Sequence, residues 1–353
     1  MHQHNDVAGV QEMARVLVIR LSSLGDILLT TPVLRLLRQH YPAAQIDFLT
    51  KVTYRDVLCT NPCVDRLLLL EPQQGFMEIL RSLRQTRHDV VVDLHRTLRS
   101  RLLYRGLLAQ RKLTYAKRTL RRALLVHLSW NTLRTMTPVP ELYVAPLRRL
   151  GITASLPPLE MHLTTESREA MDTYVKQELP ASVRRPLLAV APGAHWATKR
   201  WPVERFATVA QELAQTQGAA VVVLGSGEDA RLAQELCQRL SVPVLNTTGK
   251  LPLMHTAALL QQCRLLLSND SGLMHMATAL RVPVVAIFGP TVQEFGFYPF
   301  KACAQVVSAE LTCRPCSTKG SRRCPRGHHH CMQQVTVAQV GAAAHQMWGG
   351  HVA

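Results

Sequence analysis

RVLVIR, residues 15–20, runs into LSSLGD, then into ILLTTPVLRLLRQHY at 27–41 and QIDFLT at 45–50. A short, unbroken apolar run such as RVLVIR is the pattern of a strand covered on both faces, as in a parallel sheet. The apolar residues of 27–41 recur at spacings of three and four, which predicts an amphipathic helix. Strand, helix and strand in that order make a parallel βαβ unit. Working outward, DRLLLL (65–70) and DVVVDL (89–94) predict further strands with helices between them. Residues 95–135 are basic and irregularly apolar, and helices with Arg-rich faces are expected there.

The second half repeats the plan. LLAVAPG (187–193), AAVVVLG (219–225), VPVLN (242–246), RLLLS (264–268) and VPVVAIFG (282–289) predict strands, the last closing the series. Helices are expected at 202–215, opened by Pro202 at its first position, and at 229–240, 254–263 and 271–280. Between the halves, 155–186 carries Pro at both ends around a polar helix. The expected division is a loose leader at 1–13, a first domain at 14–175, a linker at 176–186, a second domain at 187–341 and a tail at 342–353. The fold class is α/β: two doubly wound, Rossmann-like parallel-sheet domains facing a cleft.

Length and charge fit this picture. A chain of 353 residues accommodates two domains, and a hydrophobic share of 47% excludes a mainly disordered chain. The formal net charge is +17, and 81–149 holds 16 Lys and Arg against 3 Asp and Glu. Such an imbalance calls for an anionic partner: a nucleic acid, a phosphorylated molecule or a membrane surface. Aromatics at 5% and the lack of any recognised module argue against nucleic acid. No apolar run reaches the length of a membrane-spanning helix, and the first residues lack the apolar core of a secretory signal. Nine cysteines, an odd number, fit a reducing compartment, so a cytoplasmic protein is expected.

In doubly wound sheets ligands sit beyond the carboxyl ends of the strands, so the loops after residues 20, 191, 225, 268 and 289 carry the chemistry. LSSLGD lacks the G-x-G-x-x-G of a dinucleotide site. It offers Asp26, either a first-turn carboxylate favoured by the helix dipole or a general base for an acceptor hydroxyl. PGAHWATKRWP (192–202) supplies Gly193 for a turn and Lys199 as a point charge before a helix, a set suited to a diphosphate, although a surface lysine beside a turn reads the same way. GSGEDA (225–230) formally matches a nicotinamide-cofactor loop, but the next strand ends at Asn246, without the ribose-binding acid; Glu228 could instead take two ribose hydroxyls. In SNDSGLMHMA (268–277), Asp270 or Ser271 can cap the helix. Ser271 and Gly272 are then candidates for a phosphate at its N-terminus, with His275 one turn in. Cys313, Cys316, Cys324 and Cys331, beside His328 to His330, contain one C-x2-C without the paired spacing of a zinc module; a structural cysteine-rich loop is the preferred reading over a metal site.

Taken in series, RVLVIRLSSLGDILLTTPVLRLLRQHYPAAQIDFLT, PGAHWATKRWP, LSNDSGLMHMATAL and VPVVAIFGPT resemble glycosyltransferase family 9, the lipopolysaccharide heptosyltransferases, over about 14–341. The CRPC and GHHHC segment is similar to the tail of members called heptosyltransferase II. The resemblance implies a GT-B fold whose first domain binds the acceptor and whose second binds the sugar nucleotide, with a C-terminal helix crossing back. It implies ADP-heptose as donor, the inner core of lipopolysaccharide (ketodeoxyoctulosonate-lipid A or its heptosylated form) as acceptor, and no cofactor or metal. By match to the family motifs, Asp26 is the expected base and Lys199 the lysine at the donor phosphates. Glu228 corresponds to a ribose contact, and Asp270, Ser271, Gly272 and His275 form the donor loop. Ser22, Ser23, Arg96 and Arg99 are expected on the acceptor side, and the basic stretch against core phosphates and the inner-membrane surface.

Overall fold

The computed structural model describes residues 14–133, 136–183 and 186–350, so the expected leader lies outside the described residues. The first sheet contains β1 (Arg15–Ile19), β2 (Gln45–Lys51), β3 (Arg66–Leu70), β4 (Val90–Asp93) and β5 (Arg111–Thr114), in the order β3-β2-β1-β4-β5. The second contains β6 (Leu187–Ala191), β7 (Ala220–Val223), β8 (Val244–Asn246), β9 (Leu265–Asn269), β10 (Val284–Phe288) and β11 (Ala304–Ser308), in the order β11-β10-β9-β6-β7-β8. Every pairing is parallel. The central strands are buried along their whole length, which is why they read as unbroken apolar runs.

Two strands escape that pattern. β5 is RKLT and β11 is AQVVS; both lie at sheet edges and are only partly covered, so neither forms a continuous apolar run. The strand at 284–288 is therefore not the last. The single helix expected over 27–41 is two, Leu24–Leu28 and Thr31–His40. The break lies at Leu29 and Thr30, where the hydroxyls of Thr30 and Thr31 donate to the carbonyls of Ile27 and Leu28 and Pro32 opens the second helix. Pro202 is the N-cap of Val203–Gln217, not its first helical residue. The basic stretch contains helices Leu98–Gly106 and Thr119–Leu128 with β5 between them.

The connections differ from expectation in two places. The helix Thr165–Glu178, assigned from sequence mostly to the first domain, packs on Leu253–Gln261 of the second half. The C-terminal helix Val337–Gly349 does not cross back: it packs on Val203–Gln217 and on β9, β10 and β11. It also runs through most of the segment expected as a tail, burying Trp348, whose carbonyl accepts from Arg264 Nη2 at 2.9 Å.

The halves meet at two helix N-termini. Leu24–Leu28 follows β1, Gly272–Ala279 follows β9, and the two helices pack against each other. A Cβ on Gly25 would stand 2.5 Å from Cδ2 of His275, and one on Gly272 would stand 2.9 Å from Cδ2 of Leu24. Any larger residue at either position pushes the helices apart, so the missing side chains set how closely the sheets approach.

Candidate active site

Asp26 sits in the first turn of Leu24–Leu28, directly beyond the buried β1. Its Oδ1 is 2.7 Å from Nη2 of Arg20, and its Oδ2 accepts from the Ser23 hydroxyl at 2.8 Å and the Ser23 amide at 3.3 Å. Burial raises the carboxyl pKa, but the Arg20 charge and the Ser23 hydrogen bonds outweigh it and hold the group below the usual carboxylate range. Arg20 is itself pinned: Nε donates to the Ser22 carbonyl at 2.8 Å, Nη1 to the Leu94 carbonyl, and the guanidinium lies 5.5 Å from the Tyr143 ring centre. Ser22 thus acts through its carbonyl and Ser23 through its hydroxyl, both in support of the Arg20–Asp26 pair.

The turn after β4 borders this pair. Buried Asp93 accepts from the backbone amides of His95 and Arg96 at 2.9 and 3.0 Å and from the Ser100 hydroxyl at 3.1 Å. Arg96 Nη1 donates to the Tyr115 carbonyl, and Arg99 Nη2 to the Gln74 carbonyl at 3.1 Å, so each spends part of its donor set on the backbone. His95 lies in the field of Arg20, Lys117 and Asp26; burial first, then the cations, lower its pKa to about 4, so it is neutral at pH 7. Arg122 reaches the second half, donating Nη2 to the Phe295 carbonyl at 3.0 Å, with its guanidinium 5.1 Å from the Phe297 ring centre.

On the opposing side, Lys199 Nζ is 2.5 Å from Oδ2 of Asp270, which also accepts from the Thr291 hydroxyl at 2.8 Å. Neither Asp270 nor Ser271 caps the following helix through its side chain. Asp270 is committed to Lys199 and Thr291, and Ser271, at the N-cap position, shares a 3.1 Å hydrogen bond with Ser268. The amides opening Gly272–Ala279 are therefore without a side-chain cap, the arrangement that suits an anion. His275 is buried; burial lowers its pKa against the pull of Asp270 and Asp26, so the ring is neutral at pH 7.

Asn269, fully buried, ties these loops together. Its Nδ2 donates to the carbonyls of Pro192 at 2.8 Å and Gly193 at 3.3 Å, and its Oδ1 accepts from the Trp201 amide at 3.0 Å. Gly193 also packs its Cα against the carboxylate of Asp229, which accepts from the Ser226 hydroxyl at 2.8 Å. Glu228, one residue earlier, is exposed. The cysteine-rich segment braces the same loops from outside: the Thr198 hydroxyl and Ser321 backbone exchange hydrogen bonds of 3.0 and 2.9 Å, and His329 Nε2 lies 2.9 Å from the Thr198 carbonyl. Its four cysteines are unpaired, and burial together with the other three raises the Cys331 thiol to about 11. Among the described residues no group of three or more His, Cys, Asp or Glu is placed to hold a metal ion.

Of the residues that sequence reasoning brought together, the structure puts Asp26, Gly272 and His275 on the two meeting helices, with Asp270 and Ser271 just before the second, Lys199 paired to Asp270, and Gly193 tied to Asn269. It missed Arg20, His95, Asn269 and Thr291. An arginine ending the apolar run 15–20 was the available sign of the first; the others carry no local mark.

The model of glycosyltransferase family 9 (heptosyltransferase) matches residues 76–325. The chain belongs to glycosyltransferase family 9. This transferase is 30% identical over 300 residues to a lipooligosaccharide heptosyltransferase 2 of Haemophilus ducreyi, covering 78% of this chain and 84% of that one. It is 28% identical over 297 residues to the lipopolysaccharide heptosyltransferase 2 of Escherichia coli K12, covering 80% and 84%. A solved family 9 glycosyltransferase of Veillonella parvula superposes with a TM-score of 0.79 at 26% identity, over 95% of this chain and 97% of the other. The transferase has the GT-B fold, two parallel-sheet α/β domains.

Proposed function

We propose that this transferase moves a heptose from ADP-heptose to a hydroxyl of the lipopolysaccharide inner core by direct, inverting displacement. The names of its relatives support the heptose and the core. The observation that carries the mechanism is the meeting of two ion pairs across the helix N-termini, one exposing its carboxylate and the other its ammonium.

Asp26, kept ionised by Arg20 and Ser23, accepts the proton of the acceptor hydroxyl as its oxygen bonds to the anomeric carbon. The bond from that carbon to the diphosphate breaks and its electron pair leaves with ADP. Lys199, with two ammonium protons beyond the one facing Asp270, and the uncapped amides after Ser271 offset the developing charge. A carboxylate held below its usual pKa is a weak base, so its contribution rests on position, which the Arg20 and Ser23 contacts fix. Glu228 is proposed at the ribose, and Ser22, Ser23, Arg96 and Arg99 along the acceptor path. Acceptors of this kind are lipid-borne, so the reading puts the enzyme in the cytoplasm, working at the inner-membrane surface.

The test is ADP release from ADP-heptose with defined truncated cores, with the product's anomeric configuration read by NMR. Asp26→Asn should lower transfer about a thousandfold while leaving ADP-heptose binding nearly intact. Transfer with retained configuration, or full activity in Asp26→Asn, would overturn the mechanism.

A further inference from the structure

Every large apolar side chain that stands exposed among the described residues lies between Met77 and Met136, eight in all, and none belongs to the second half. Five of them, Leu98, Leu102, Leu120, Leu128 and Trp130, are between 44% and 76% exposed. Leu98 and Leu102 stand one turn apart on Leu98–Gly106, whose opposite face buries Leu103. Leu120 and Leu128, with half-buried Leu124 between them, form a stripe along Thr119–Leu128, and Trp130 follows its end.

The two helices leave the carboxyl ends of β4 and β5, which are hydrogen-bonded partners. The turns before them are stitched by Arg96 donating to the Tyr115 carbonyl and Lys117 Nζ donating to the His95 carbonyl at 3.4 Å. Asp26 stands beyond the same end of the first sheet, after β1, which pairs with β4. Exposed Arg101, Arg105 and Arg121 flank the stripes, within the stretch of 16 Lys and Arg against 3 Asp and Glu.

We propose that helices Leu98–Gly106 and Thr119–Leu128, with Trp130, form a docking face for an anionic lipid bilayer, which inserts these leucines and the indole among its headgroups and presents the acceptor at the rim of the Asp26 cleft. Concentrated exposed apolar surface marks an interaction site. Arginines beside it reach phosphates while their stems cover apolar surface. Leucine and tryptophan beside cations are the chemistry of an interfacial anchor. A purely polyanionic partner would match the charge but leave the leucines in water. The proposal rests on the reading that the acceptor is lipid-borne.

The experiment is flotation of the full chain with vesicles of phosphatidylglycerol and phosphatidylethanolamine, against phosphatidylcholine alone, across a salt series. The expected result is binding to the anionic vesicles that weakens with salt and little binding to phosphatidylcholine. The quadruple variant Leu98→Ser, Leu120→Ser, Leu128→Ser, Trp130→Ser should bind anionic vesicles roughly tenfold more weakly. It should also turn over a deacylated, soluble acceptor at the unchanged rate. Should its melting temperature fall, the single variants Leu98→Ser and Leu120→Ser carry the same comparison. Equal vesicle binding by variant and parent, capture by an acidic protein or RNA in preference to vesicles, or a parallel loss of soluble-acceptor turnover would overturn the proposal. Intact flotation in a chain that releases no ADP would instead sink the transferase reading and leave the docking face standing.

Discussion

On the first sheet the side chain of Arg20 is 8% exposed and that of Asp26 is 22%; on the second, Lys199 is 14% exposed and Asp270 is 7%. The loops are built alike, each an ion pair at the start of a short helix beyond a buried central strand. Their polarity is reversed. The first sheet buries a cation to hold a carboxylate toward the cleft, and the second buries a carboxylate to hold an ammonium. The buried member of each pair fixes its partner, at the desolvation cost that any buried charge carries. In each pair the better-exposed member is the one that the proposed mechanism sets against a substrate.

Predictions follow this contrast, from the largest effect downward. Asp26→Asn should lower kcat about a thousandfold, since the proposed base is lost while Arg20 keeps a neutral acceptor. Steady-state kinetics with a saturating acceptor check this; an effect under tenfold would remove Asp26 from the chemistry. Lys199→Met should lower kcat about a hundredfold and weaken ADP-heptose binding by calorimetry. It should also cost about 1–3 kcal/mol of stability, because Asp270 keeps only Thr291 as a partner. Adding Asp270→Asn should recover the melting temperature without recovering activity; recovery of activity would show that the ammonium only serves Asp270.

The closeness of the two sides can be broken separately. Gly25→Ala should lower kcat roughly tenfold by forcing its Cβ against the His275 ring, and His275→Ala added to it should restore part of the loss. An additive double variant would mean that the contact does not set the approach of the sheets. The smallest effect expected is on pH dependence. Arg20→Gln leaves Asp26 partly desolvated but takes away the charge holding its pKa down, so the pKa rises and the acidic limb of kcat/KM moves to higher pH. In the parent, a carboxyl depressed by folding adds stability above its unfolded pKa of about 3.9 and loses it as pH falls toward the folded value. Thermal melts below pH 5 should show that loss shrinking in Arg20→Gln.

The core strands were legible because a strand buried on both faces must be apolar throughout. β5 and β11 were not, since an edge strand needs only partial cover and RKLT or AQVVS satisfies it. The candidate residues of the cleft were legible where a loop combined an acid, a lysine or a glycine with a helix start, as in LSSLGD and SNDSG. SNDSG also misled, because Asp270 and Ser271 read as alternative caps of the helix, and neither caps it through its side chain. Asn269 clamps the backbone of Pro192, Gly193 and Trp201, and Asp270 holds Lys199, 71 positions earlier in the chain.

The sequence by itself determined two parallel sheets, the loops at the ends of those sheets that hold the candidate site, and the family. These follow from periodicity and from short motifs, both local along the chain. Tertiary structure alone decided which member of each ion pair is the better exposed, that Arg20 supports Asp26, that Gly25 abuts His275, and that the last helix stays on its own sheet. It also decided that the helices carrying the exposed leucines leave the same end of the first sheet as Asp26. Exposure and partnership are properties of distance in space, and residues far apart in sequence acquire them only when the strands between them have paired.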